Sequence, residues 1–210
     1  MSHNLSRSPL IAHAVLALGA AVIILNVPGL ALVAQSPDAA AAGPRQSPVS
    51  TEIAKAQQAM NELQQELLAK LKAAMDRGGP EAAVEICRTE ARLVADAVAK
   101  KHGVELGRTS HRLRNPANAP RAWAREVVDG RDGVKASAEE LRVVDLGDRV
   151  GVLRPIGTTE ACTTCHGREN EVRQRIGATL AVAYPGDRAT GFAPGDLRGW
   201  MWAEVPKGVR

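Results

Sequence analysis

From Ile53 onward, apolar residues recur at three- and four-residue steps. Ile53, Ala56, Met60, Leu63, Leu67, Leu71 and Ala74 line up as one stripe, the period of an amphipathic helix. Ser50 suits the N-cap, and Gly78-Gly79 ends the run. The heptad phase slips at Lys70, and the run is short for a coiled coil. A helix packed on its own domain is therefore favoured over a dimerising stalk. Pro80 suits the first position of a second helix, which runs to about His102 before Gly103 stops it. Val84, Cys87, Ala91, Val94 and Val98 share one face of it, which turns Cys87 inward.

Beyond Gly103 the period changes. Val104 to Thr109 reads as a strand, and Asn115-Pro116-Ala117-Asn118 as a loop. Pro120 to Val128 reads as a short helix carrying Trp123. Leu141 to Leu146 and Val150 to Pro155 flank Gly147-Asp148 as a β-hairpin. A short helix is expected near Glu169 to Arg175. Leu197 to Val205 reads as a last strand, with Gly199, Met201 and Ala203 on one side and Trp200 and Trp202 on the other. No internal repeat is visible. The pattern predicts an α+β fold, with N-terminal helices packed on a mostly antiparallel sheet.

Upstream of the helices the chain is of another kind. Arg7 precedes a stretch from Leu10 to Ala34 without Asp, Glu, Lys or Arg, interrupted by Asn26, Pro28 and Gly29. Whole, it is long enough to span a bilayer; interrupted, it is a signal peptide with a small-residue cleavage site. Residues 1–34 are read as a signal peptide or a membrane anchor through residues 10–34. Either reading places the remainder in the periplasm, free or held at the inner membrane. Residues 35–50, rich in Ala, Ser, Pro and Gln, read as a linker, and residues 51–210 as the functional domain.

Composition sharpens this picture in two places. The formal charge of +4 has both signs interspersed, which argues against a nucleic-acid partner. Aromatic residues make up only 2% of the chain. A bound apolar cofactor would supply bulk that rings usually give a core, as would a tight Ala/Leu helical core.

The candidate chemistry lies at Cys162-Thr163-Thr164-Cys165-His166. Two cysteines three apart, followed at once by histidine, form the attachment signature of c-type haem. Each thiol adds to a haem vinyl group, and the adjacent imidazole reaches the iron. Structural zinc fits poorly, because it asks for four ligands and no second pair of suitable spacing exists. A second iron ligand is to be sought among Cys87, His102, His111, Met60, Met75 and Met201. Cys87 is either that ligand or a buried core cysteine, and His111, in a polar loop, reads as a surface histidine. Arg108 or Arg114 is suited to pair with haem propionates; alternatively Asn115 and Asn118 only shape a turn around Pro116. Tyr184 and Phe192 lie among turn residues and are candidates for the haem wall.

Several segments in order carry a family resemblance. They are Cys87 in its helix, Gly107-Arg108-Thr109-Ser110, Arg114-Asn115-Pro116-Ala117-Asn118, Arg154-Pro155-Ile156, the haem motif with Gly167, Tyr184 to Phe192, and Gly195-Asp196-Leu197-Arg198-Gly199. Over about residues 55–205 the chain resembles a bacterial family of single-haem c-type domains with a PAS-like fold, long without an assigned function. One departure is the stretch Glu171 to Ala183. The resemblance implies that His166 and Cys87 bind the iron from opposite sides. It also implies either an exported redox protein or a sensory domain.

The functions in competition are an exported electron carrier or redox protein and a redox or diatomic-gas sensor that signals through a partner protein. A haem enzyme ranks third, because no acid/base pair accompanies the motif.

Overall fold

The computed structural model describes residues 48–208. The expected signal peptide or anchor (1–34) and most of the expected linker lie outside them. The fold is α+β. Helix α1 (Pro48–Thr89) is followed by α2 (Ala91–His102), then by a four-stranded antiparallel sheet of β1 (Glu105–Thr109), β2 (Arg142–Asp145), β3 (Arg149–Gly157) and β4 (Leu197–Pro206). The strand order is β1-β4-β3-β2. Between β1 and β2 lies the single-turn α3 (Arg125–Val128). Between β3 and β4 lie the single-turn α4 (Thr163–His166) and the longer α5 (Glu169–Ala183).

The helical stripe does what its period predicts. Ala56, Met60 and Leu63 are fully buried with Val94 and Val98 of α2, Val150 and Val152 of β3, and Met201, Ala203 and Val205 of β4. Burying a side chain such as Leu63 contributes about 1.5–3 kcal/mol. The alternation along β4 is also as read from Gly199 on: Trp200 and Trp202 pack on the opposite face with Ala124, Val128 and Leu153, and a register shift at Arg198 brings Leu197 to the same side. Glu204 continues that second face as a buried carboxylate, accepting from Arg121 Nε at 2.7 Å and Trp123 Nε1 at 2.8 Å. These bonds satisfy its charge and tie the Trp123 loop to the sheet.

Four boundaries differ from the sequence reading. Helix α1 begins at Pro48, so the last three residues assigned to the linker are helical. Gly78 and Gly79 bend the chain between two helical halves without ending it, and the second half meets α2 with only a turn at Glu90. The expected helix at Pro120 to Val128 is a 3₁₀ turn over Ala122–Ala124 plus the one turn of α3. The helix expected over Glu169 to Arg175 runs on to Ala183. Its non-helical Ile176 (φ −139°) lies next to Gly177, and the poor helix propensity of glycine hides the continuation.

Gly199 sits where β4 crosses β1. A Cβ there would lie 2.3 Å from Thr109 O, at φ +155°. Gly199→Ala is therefore expected to lower stability by about 2–4 kcal/mol, read as a fall in melting temperature without loss of helix content. A change below 0.5 kcal/mol would show that the strands separate there freely.

Candidate functional site

The site forms where the second half of α1, the end of β1, α4 and the loop from Tyr184 to Phe192 meet. Val84 packs on Val172, Ile176, Leu180 and Tyr184, and Cys165 sits against the same cluster. Cys87, one helical turn after Val84, is half-buried and lies within electrostatic range of Cys165, Tyr184 and Arg108. The inward direction read for Cys87 thus brings it to the Cys-x-x-Cys-His segment, far away in sequence. Burial pushes the Cys165 thiol up from its ordinary value, with Arg114 opposing.

Helix α4 is a single turn, so only its first carbonyl, Thr163 O, has a helical partner, Gly167 N at 2.8 Å. The three carbonyls that follow, and that of Gly167, are captured from outside. Thr164 O accepts from Arg175 Nη1 at 2.9 Å and Cys165 O from Arg114 Nη2 at 2.6 Å. His166 O accepts from Phe192 N at 3.0 Å and Gly167 O from Gly191 N at 2.6 Å. Cys162 Sγ lies 3.2 Å from Thr159 Oγ1.

His166 Nδ1 is 2.7 Å from Ala189 O. A carbonyl only accepts, so Nδ1 carries the proton and Nε2 presents its lone pair. Burial, with Arg198 and Arg114 nearby, holds this imidazole well below the ordinary histidine range and therefore neutral.

The electrostatics of the site are one-sided. Arg108, Arg114 and Arg198 all act on His166. Arg114 is committed to Asp187, 3.0 Å away, as well as to Cys165 O. Among the described residues Arg198 donates only to neutral groups, Ser110 Oγ at 3.1 Å and Arg112 O at 3.5 Å, and lies over the Phe192 ring; burial with Arg114 and Arg108 pushes its pKa down to about 10 against the pull of Asp187. The Arg108 guanidinium has no hydrogen bond or ion pair among the described residues, and burial lowers its pKa while Cys87 and Tyr184 pull the other way. Two crowded guanidiniums with no carboxylate in ion-pair contact are a costly arrangement unless an anion completes it.

Of the remaining candidates for the iron, Met75 is half-buried on α1, in the turn before Gly78. Met60 and Met201 lie in the helix–sheet core, and His102 Nε2 is held by Glu62 at 2.8 Å. The surface reading of His111 is overturned. Its ring is buried edge-on against Phe192 and Trp200, with centroids 5.9 and 6.1 Å away, and burial lowers its pKa. No local pattern foretells that, because the ring is covered by residues about 80 or more positions later in the chain. Phe192 is buried under the guanidinium of Arg112, 4.0 Å from its centroid. Asn115 shapes the turn as expected, its Oδ1 accepting from Ala117 N at 2.9 Å.

Asp187 and Arg198 are site residues that the sequence reading passed over as functional groups. The one available signal was local: Asp187 Oδ1 accepts from Ala189 N at 2.8 Å, a turn that Asp favours two residues before its donor.

The model of the Tll0287-like family matches residues 45–206. The chain belongs to that family. A solved structure, that of the cyanobacterial heme-protein Tll0287, matches with a TM-score of 0.56 and 24% identity, covering 76% of this chain and 98% of its own. At that identity the likeness establishes a shared fold. No curated protein matches the chain. The family match takes in α1 through β4, so every residue of the site described above falls within it.

Proposed function

We propose that this chain binds one haem c, attached through Cys162 and Cys165, with His166 and Cys87 as the iron ligands. It acts as an exported protein in electron transfer or redox chemistry. The observation that carries the reading is the approach of Cys87, from α1, to Cys165 of α4, the residue that precedes His166. The solved member of the family is itself named a heme protein, in keeping with this assignment.

The residues present fit such a group. Two thiols three apart suit the vinyl groups, and His166 offers Nε2 in the required tautomer. Arg108 and Arg198 have no carboxylate of their own, and the two propionates would supply what they lack. Arg114, a sequence candidate for that task, is already engaged by Asp187 and instead holds the Cys165 backbone. Tyr184 and Phe192, both buried beside the ligands, serve as walls. When bound, the haem supplies one-electron exchange between ferric and ferrous iron. The polypeptide excludes water, fixes both ligands and balances the propionate charge.

One observation favours the sensor reading as a second possibility. An apolar cleft of about 90 Å³, lined by Leu67, Leu68, Leu71, Ile86 and Ala91, opens beside Cys87 and Arg108. A small neutral molecule has a path there to the Cys87 side, and a signalling protein is then the partner. A redox protein is the partner in the first reading.

Intact-mass analysis of protein recovered from the periplasm of a host with a haem-attachment system tests the assignment. One haem should be added and survive acid–acetone extraction. The same spectrum shows whether residues 1–34 were removed. Protein that stays in the cytoplasm, or that carries zinc in place of haem, contradicts the proposal.

A further inference from the structure

We propose that Asp187 and Arg114 are positioning residues for His166, acting as a latch that fixes the plane and donor strength of its imidazole. The inference rests on the haem reading above and concerns a task that reading does not assign. The bonds form a closed loop. Arg114 reaches Asp187 Oδ2 from Nε at 3.1 Å and from Nη2 at 3.0 Å. The same Nη2 donates to Cys165 O at 2.6 Å. Asp187 Oδ1 accepts from Ala189 N at 2.8 Å, and Ala189 O accepts from His166 Nδ1 at 2.7 Å. Cys165 and His166 are chain neighbours, so the loop closes on the attachment segment itself.

Both side chains are only 10% exposed, where such bonds are strong and their loss is costly. The alternative is that the pair merely fastens one loop to another. That fastening already exists in the backbone, where Arg188 N donates to Leu113 O at 2.9 Å. What the pair adds is direction. One carboxylate oxygen holds the guanidinium, and the other anchors the N–H of the residue whose carbonyl meets His166. A carbonyl accepting from Nδ1 makes Nε2 a better donor to a metal, and partners of this kind tune a ligand strongly.

Asp187→Glu and Arg114→Lys test this in the haem-loaded protein, because each keeps its charge and breaks the geometry. Glu places its carboxylate one carbon too far for the bond to Ala189 N, and Lys cannot make the two-point contact. Both are expected to raise the midpoint potential by at least 59 mV, a tenfold change in the one-electron equilibrium, at unchanged haem content. An unmoved potential in either variant overturns the proposal and leaves the haem reading intact. Absence of haem from the wild-type protein overturns that earlier reading instead. Hydrogen exchange of the Ala189 amide in the native protein provides a check if a variant fails to fold. It should be at least a hundredfold slower than in an open loop, and exchange at the rate of an exposed amide overturns the latch.

Discussion

Protein carrying both Cys162→Ala and Cys165→Ala should lose all of its extractable-resistant haem. The two thiols differ in setting but share one proposed task. Cys162 is half-buried just before α4, beside Thr159, while Cys165 is packed against the cluster around Val172 and Tyr184. With both replaced, no covalent tie remains, and the group is held by His166, Cys87 and the arginines alone. Acid–acetone extraction should then remove it completely. Either single variant should retain one thioether and resist extraction. The fold itself should survive the double change, because neither residue belongs to the fully buried core. Haem that still resists extraction in the double variant would show that these cysteines are not its attachment.

Cys87→Ala should leave the haem attached but expose one side of the iron. In the reduced state carbon monoxide should then bind readily. The midpoint potential should rise by more than about 59 mV, since an anionic thiolate favours the ferric state and its loss removes that preference. The cleft lined by Leu67, Leu71 and Ile86 already reaches this position from outside, so access is not expected to limit binding. Cys87→Met should raise the potential as well, because a thioether carries no charge. If Cys87 were only a core residue, the expected effect of Cys87→Ala would be a modest loss of stability, about 1 kcal/mol, with an unchanged potential.

The helical front end and the last strand were legible because their apolar residues keep a local period. Ala56, Met60 and Leu63 on α1 and the alternation from Trp200 to Val205 both predicted the faces that are buried. Within the candidate site, Cys162, Cys165 and His166 were legible as a contiguous motif. Cys87 was legible as an inward helical position, though its role stayed open between ligand and core. What escaped had no local signature. The second half of α5 is marked by Val172, Ile176 and Leu180 at four-residue steps, but Gly177 and the irregular Ile176 interrupt the reading. Arg114 finds Asp187 across 73 positions, and Arg198 reaches Ser110 across 88. Partners that distant are set by how β4 lies between β1 and β3, which the pattern of any one segment does not state.

The central claim, that one iron lies between Cys87 and His166, is tested most directly by the electron paramagnetic resonance spectrum of the oxidised protein. A thiolate opposite an imidazole should give a low-spin ferric signal with a compressed spread of g values, and Cys87→Ala should abolish it. A spectrum unchanged by that substitution would contradict the account and leave Cys87 as a core residue.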